Sequence, residues 1–477
     1  MLFNSAEFLV LFLPLTLITF YLALRIFGGV AASSVLLVAS LIFYSYWDIR
    51  YLPLMLASIT TNYLLGVKLR NASKKSWLVT GVAFNLCLIA FFKYTNWFID
   101  TTNVITGSTY PLLNIALPLG ISFFTFQQIA YLVDCYRGNF QHKHTFSRYA
   151  LFVGFFPQLI AGPIVRSGEM IPQFDYFQKQ FSPTAEQVAR GLLLIMLGLF
   201  KKLIIADWLA RYVDPAFSQV NSLSSYDAWV ATFGYSFQLY FDFSAYCEMA
   251  MGIALLFGIA LPLNFNSPYK AINIQDFWRR WHITLGRFLR DYLYIPLGGN
   301  RKGGSRTVAA LMITMLLGGL WHGAGWNFIL WGAMHGVFLG TYFLWRRIDI
   351  SLPTPMAQVI TLLCVMVAWT MFRCTTVEDA LIMYGRMFTF DFSLPMGYLT
   401  LFPFLGNIFS FKATPFYTGM EVIVIISLFA MVTKAKNVHE IASAMQPNWR
   451  YATATGLIAL ITAFNLGAPS TFLYWQF

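Results

Sequence analysis

Hydrophobic runs of membrane-spanning length recur along almost the whole chain, and that recurrence fixes its solvent before any motif is considered. Apolar stretches lie near residues 6–25, 30–48, 51–66, 77–98, 116–136, 190–210, 228–260, 307–321, 326–345, 354–373, 420–433 and 450–468. About 20 apolar residues of helix cross a hydrocarbon core ~30 Å thick. With 58% hydrophobic and 11% charged residues and a mean hydropathy of +0.62, the chain cannot present a water-compatible surface around a single core. Within lipid every backbone N–H and C=O needs an internal partner, so the expectation is an all-α, polytopic membrane protein of roughly a dozen elements. Some of these are broken: FVGFFPQLIAGPIV, with Pro157 and Pro163, and YIPLGGN, with Pro296, suggest half-helices or re-entrant segments.

The net charge of +12 has an ordinary cause in such a chain, because basic residues collect in loops held on the cytoplasmic side. It does not point to nucleic acid. Lys68 to Lys75, Arg137 to Arg148, residues 262–306, Arg346 with Arg347, and Lys434 with Lys436 all read as cytoplasmic. By parity, 99–115, the long loop 375–419 and the tail 468–477 fall on the opposite side. The N-terminus has no basic leader or small-residue cleavage site, so it reads as a retained first span. No repeat or soluble module interrupts the pattern, and the chain is treated as one membrane domain over 1–477. The five cysteines are scattered and read as small core residues, and neither they nor the six histidines show metal-ligand spacing.

Two segments could carry chemistry. In DFWRRWHITLGRFLRDYL, residues 276–293, a continuous helix would gather Phe277, Trp278, Trp281, Leu285, Phe288, Leu289 and Tyr292 on one arc. Arg279, Arg280, Arg287 and Arg290 would fill the other, with Asp276 and Asp291, as in a helix lying in the cytoplasmic interface. His282 falls at the edge of the apolar arc, either as a hydrogen-bonded core histidine or as a site residue. The guanidinium face, with Arg301 and Lys302 beyond it, suits lipid headgroups or the phosphates of a nucleotide-bearing donor. The second segment, GGLWHGAGWNFILWGAMHG at 318–336, surrounds His322 with small residues. Gly332, Gly336 and Gly340 form a ridge for close helix packing, and His335 beside it reads as structural. An ionisable residue at membrane depth is a functional candidate by default. Histidine is the side chain best suited to general base work near neutral pH, so His322 is the leading candidate. Asp242 and Glu248, six apart on one helix, form no dyad and are expected in internal pairs. His142, His144 and His439 read as solvated loop residues.

These segments together resemble the membrane-bound O-acyltransferase family, in its bacterial cell-envelope branch. The resemblance runs through MLFNSAEFLVLFLPL, FFPQLIAGPIVR at 155–166, LGLFKKLIIADWLA at 197–210, LYFDFSAYCEMAMGIALLFGI at 239–259, the 276–303 segment and WHGAGWNFILWGAMHG at 321–336. It implies a ring of transmembrane and re-entrant helices around a central funnel, with a catalytic histidine at the position of His322. His282 stands at the second signature position, which is Asn or Asp in many eukaryotic relatives. The implied activity is transfer of an acetyl group from acetyl-CoA, a substrate and not a resident cofactor. Arg279, Arg280, Arg287, Arg290, Arg301 and Lys302 would bind the donor. The acceptor would be an exported polysaccharide, reached through a periplasmic acetyltransferase- or esterase-like partner, at the bacterial inner membrane. The ending STFLYWQF resembles a C-terminal acyl-relay motif, which would make Tyr474 a covalent carrier; as composition alone it is an aromatic anchor. D-alanyl transfer to teichoic acid and a non-enzymatic transporter or flippase are the competing expectations.

Overall fold

The structure is a computed structural model that describes the chain apart from residues 161, 177–182, 302, 349, 391–392, 396–397, 400–411, 415, 418, 467–472 and 474–477. Among the described residues it is helical, as expected, except for one short parallel pairing of Ser393–Pro395 with Lys412–Thr414. Seven helices are long and apolar enough to cross a membrane: Glu7–Phe27, Ile49–Asn71, Lys75–Thr106, Ser225–Leu256, Gly304–His322, Trp326–Trp345 and Thr354–Arg373. Gly29–Ser45 is apolar but shorter. Pro355 sits in the first turn of Thr354–Arg373, where the missing N–H costs nothing, whereas Pro14 and Pro53 follow the short turns Glu7–Phe12 and Ile49–Tyr51 that lead into Leu13–Phe27 and Leu52–Asn71. The helix through 77–98 runs on to Thr106, past its expected end, and stops where Gly107 turns left-handed at φ +68°.

The described chain forms two compact units, each discontinuous in sequence. The first comprises 1–199, 245–263 and 442–469. In it the spanning helices meet through buried amides: Asn85 Nδ2 donates to Asn62 Oδ1 at 2.6 Å and Asn62 Nδ2 returns a bond to Asn85 Oδ1 at 3.2 Å. Such polar pairs join helices where lipid supplies no hydrophobic drive. His144 belongs to this unit, and its expected solvation is corrected. It is buried, with Nδ1 against the His142 carbonyl at 2.9 Å and Nε2 against Tyr131 Oη at 3.2 Å. Burial pushes it down to about 4. His142 is the exposed one, 2.9 Å from Asp175.

The second unit comprises 200–244, 264–441 and 470–477. Its centre is the antiparallel pair Gly304–His322 and Trp326–Trp345. A Cβ on Gly319 would collide with the Phe328 carbonyl, and one on Gly332 with the Met315 carbonyl. Gly336 and Gly340 likewise pack on Met312 and Val308, so the glycine ridge has the packing role its spacing predicts. Asn327 Nδ2 donates to the Cys374 carbonyl at 2.9 Å, tying the pair to the end of Thr354–Arg373. The region 375–419 contains the helix Val377–Met387, capped by Thr376. Farther along, Thr414 donates to buried Asp227 at the start of Ser225–Leu256. Asp242 finds its expected internal partner in Lys202, at 2.7 Å, and Lys202 also pairs with Asp207 at 2.7 Å. The second oxygen of Asp242 accepts the backbone N–H of Leu473 at 2.9 Å.

Candidate active site

His282 and His322 both lie in the second unit, and both are buried. His322 is the last residue of Gly304–His322, and Gly323 leaves the helix in an extended conformation. Trp326 begins the return helix three residues later, so the sharp reversal fixes the imidazole at the helix end. Three rings enclose it: Trp321 at 4.9 Å between centroids, Trp331 at 5.0 Å and Phe372 at 5.4 Å, each near a T-shaped angle. Trp331 in turn stacks on Trp369 at 5.6 Å. The result is a water-excluding aromatic wall built by three helices.

The segment before it departs from expectation. Residues 276–293 are not one amphipathic helix: Ile274–Arg280 ends at Trp281, and Ile283–Leu289 starts anew. A π-turn over Arg290–Tyr294 follows. Between the helices His282 is left-handed, at φ +44° and ψ +53°, a conformation histidine and asparagine tolerate better than most residues. Asn264 stabilises the break from outside the segment. Its carbonyl accepts Ile283 N at 2.9 Å, and its side-chain Oδ1 accepts Thr284 N at 3.2 Å and Thr284 Oγ1 at 2.8 Å. These groups are the orphan donors of a helix start, capped here by a residue 18 positions upstream.

The same Oδ1 lies 3.1 Å from His282 Nδ1. Because a backbone N–H also points at that atom, it is the amide oxygen, and Nδ1 must be the protonated nitrogen. The lone pair of His282 is therefore on Nε2. Burial pushes its pKa down to about 3, so the ring is neutral at physiological pH. Trp321 links the two histidines, with its ring 6.3 Å from His282 and 4.9 Å from His322. His335 belongs to the supporting wall: it is buried, 4.8 Å from Trp331 between centroids, and Trp278 Nε1 donates to its Nδ1 at 3.3 Å.

The basic residues are brought into one stretch but not into one role. Arg280 is engaged by Asp276 at 2.9 Å and Arg290 by Asp291 at 2.7 Å. Arg279 and Arg301 are exposed, and Arg287 is half-buried. Lys302 and Tyr474 lie outside the described residues. The sequence reading missed Asn264, the Trp331 and Phe372 walls of the His322 pocket, and Lys202 as partner of Asp242. Only Asn264 had a local signal, a lone amide in the apolar run LPLNF.

Comparison with known proteins gives the family. Residues 139–384 match the model of MBOAT, the membrane-bound O-acyltransferase family, a span that includes both histidines. A peptidoglycan O-acetyltransferase of Helicobacter pylori is 45% identical, over 80% of this chain and 78% of its own length. A probable alginate O-acetylase of Pseudomonas aeruginosa is 41% identical, over 82% and 75%. A teichoic acid D-alanyltransferase of Bacillus subtilis is 29% identical, over 50% and 62%. With seven apolar helices of spanning length among the described residues and these relatives, the chain belongs to the membrane-bound O-acyltransferase family and is a multi-pass membrane acyltransferase.

Proposed function

We propose that the protein moves an acetyl group from cytoplasmic acetyl-CoA across the bacterial inner membrane for O-acetylation of an exported polysaccharide. The observation that carries this reading is the buried His322, held by three aromatic rings at the end of a spanning helix. A base there meets an acceptor hydroxyl in a site from which water, the competing nucleophile, is excluded. The acetyl reading is supported by the breadth of similarity to the peptidoglycan and alginate acetylation relatives, 80% and 82% of the chain, against 50% for the D-alanyl relative.

In the proposed reaction His322 takes the proton of a hydroxyl as its oxygen attacks the thioester carbonyl. The C–S bond breaks, and the departing thiolate is protonated to the free thiol of CoA. His282, neutral with its lone pair on Nε2, orients the reacting groups and does not exchange the proton. Arg279 and Arg301, both exposed, hold the donor phosphates, while Arg280 and Arg290 are first engaged by their aspartates. Tyr474 is the first acceptor, forming an acyl-tyrosine that a periplasmic acetyltransferase-like partner unloads; covalent relay divides one long transfer into two short ones.

Reconstituted protein supplied with labelled acetyl-CoA should acquire label on its C-terminal peptide, and Tyr474→Phe should abolish that label while keeping the aromatic anchor. Labelling only from a D-alanyl carrier protein would replace the acetyl reading. Label that bypasses the tail, with full transfer by Tyr474→Phe, would leave His322 acting directly on an external acceptor.

A further inference from the structure

A cavity of about 750 Å³ opens in the second unit where Trp326–Trp345 passes to Thr354–Arg373, and it does not include either signature histidine. Phe338, Trp345, Ile350, Met356 and Ile360 line it, with Arg346. Ile350, Met356 and Ile360 remain 53%, 52% and 42% exposed, so the slot is open along one side. That side is framed by two helices of spanning length, Trp326–Trp345 and Thr354–Arg373, with Ile350 in the link between them. The Trp345 indole donates to the Ile350 carbonyl at 2.9 Å, which fixes the amphipathic ring at the slot's end, as interfacial tryptophans are fixed. Arg346 follows immediately, exposed and with no ion pair among the described residues. An apolar trough that ends in a tryptophan and an exposed guanidinium matches an amphiphile with an alkyl chain and an anionic head.

A second cavity, about 450 Å³, supplies the contrast. It lies among Trp229, Phe233, Val359, Leu363, Ile426 and Phe429 and has no charged residue in its lining. It can hold hydrocarbon but has nothing with which to choose a headgroup. We propose that the Arg346 slot is a binding site for an anionic phospholipid, one acyl chain lying against Phe338, Met356 and Ile360 and the phosphate on Arg346.

The test uses the full chain in detergent, titrated with dioleoyl phosphatidylglycerol or dioleoyl phosphatidylcholine and read by native mass spectrometry. Phosphatidylglycerol should bind about fivefold more tightly, the preference expected of one basic residue at the interface. Arg346→Gln should bring the two lipids level. Ile360→Trp, which fills the trough and keeps the cation, should weaken both. Equal binding of the two lipids by the parent chain, a preference that survives Arg346→Gln, or displacement of bound phosphatidylglycerol by acetyl-CoA would each overturn the assignment. None of these readouts depends on acyl transfer.

Discussion

His282 and His322 both lie against Trp321 and among other rings, yet the backbone delivers them differently. His282 sits in a left-handed break between two short helices, with Asn264 bonded to its ring and the same Asn264 oxygen capping Thr284. His322 ends a spanning helix among the faces and edges of Trp321, Trp331 and Phe372. A bonded residue in a left-handed break is fixed in orientation, whereas one at a helix end inside an aromatic wall is fixed in position and shielded from water. The first arrangement suits a residue that builds and orients the site, and the second a residue that exchanges a proton.

The largest expected effect separates the two directly. His322→Gln keeps most of the volume and removes the base, so transfer from labelled donor should fall by about 10²-fold or more, with the thermal midpoint little changed. Retention of more than about a tenth of the activity would make His322 a packing residue. Asn264→Leu should do the reverse. It strips the acceptor from His282 Nδ1, Thr284 N and Thr284 Oγ1, and each buried polar group left unpaired costs ~1–3 kcal/mol. Yield and thermal midpoint should drop before activity can be measured, and a stable, active Asn264→Leu would remove the contrast.

His282→Asn sharpens the comparison further. Asparagine accepts the left-handed conformation, so stability should hold to within about 1 kcal/mol, whereas His282→Ala adds a left-handed penalty of ~1–2 kcal/mol. Any activity lost in the asparagine variant then belongs to the imidazole. The same variant has a pH signature. His282 takes up a proton in the unfolded chain near 6.5 but not in the folded one until about 3. Between those values the unfolded state binds more protons, so stability is full above about 6.5 and falls as the pH drops. His144, held down to about 4, adds to that slope. His282→Asn should flatten it, measured by thermal melts from pH 4 to 7, and should leave any acid limb of activity in that range in place. The smallest effect is expected from Arg279→Gln combined with Arg301→Gln: a few-fold rise in the KM for acetyl-CoA, fading as salt approaches ~0.1 M and above. No change at low salt would restrict those residues to lipid headgroups.

The spans, the glycine ridge and both histidines are legible in the sequence because each rests on local spacing. The break at His282 is not: helical periodicity is satisfied through 276–293, and what overrides it is an asparagine upstream of the segment. His144 illustrates the same limit, since its polar neighbours imply water, while Tyr131 and Arg70, far away in sequence, enclose it. The pairing of Asp242 with Lys202 also needed tertiary structure, because a helical wheel compares Asp242 only with its own helix.

That ionic cluster bears on how the protein is made. On insertion scales a charged residue at the centre of a helix costs ~2.5–3.5 kcal/mol, and Lys202, Asp207 and Asp242 must all leave the translocon. Lys202 emerges first, with Asp207 following closely, whereas Asp242, its other carboxylate, arrives about 40 residues later on a separate helix. The donor to the second Asp242 oxygen, Leu473 N, comes 231 residues after the carboxylate itself. The nascent chain therefore carries a buried carboxylate whose backbone donor is synthesised long after the helix that bears it.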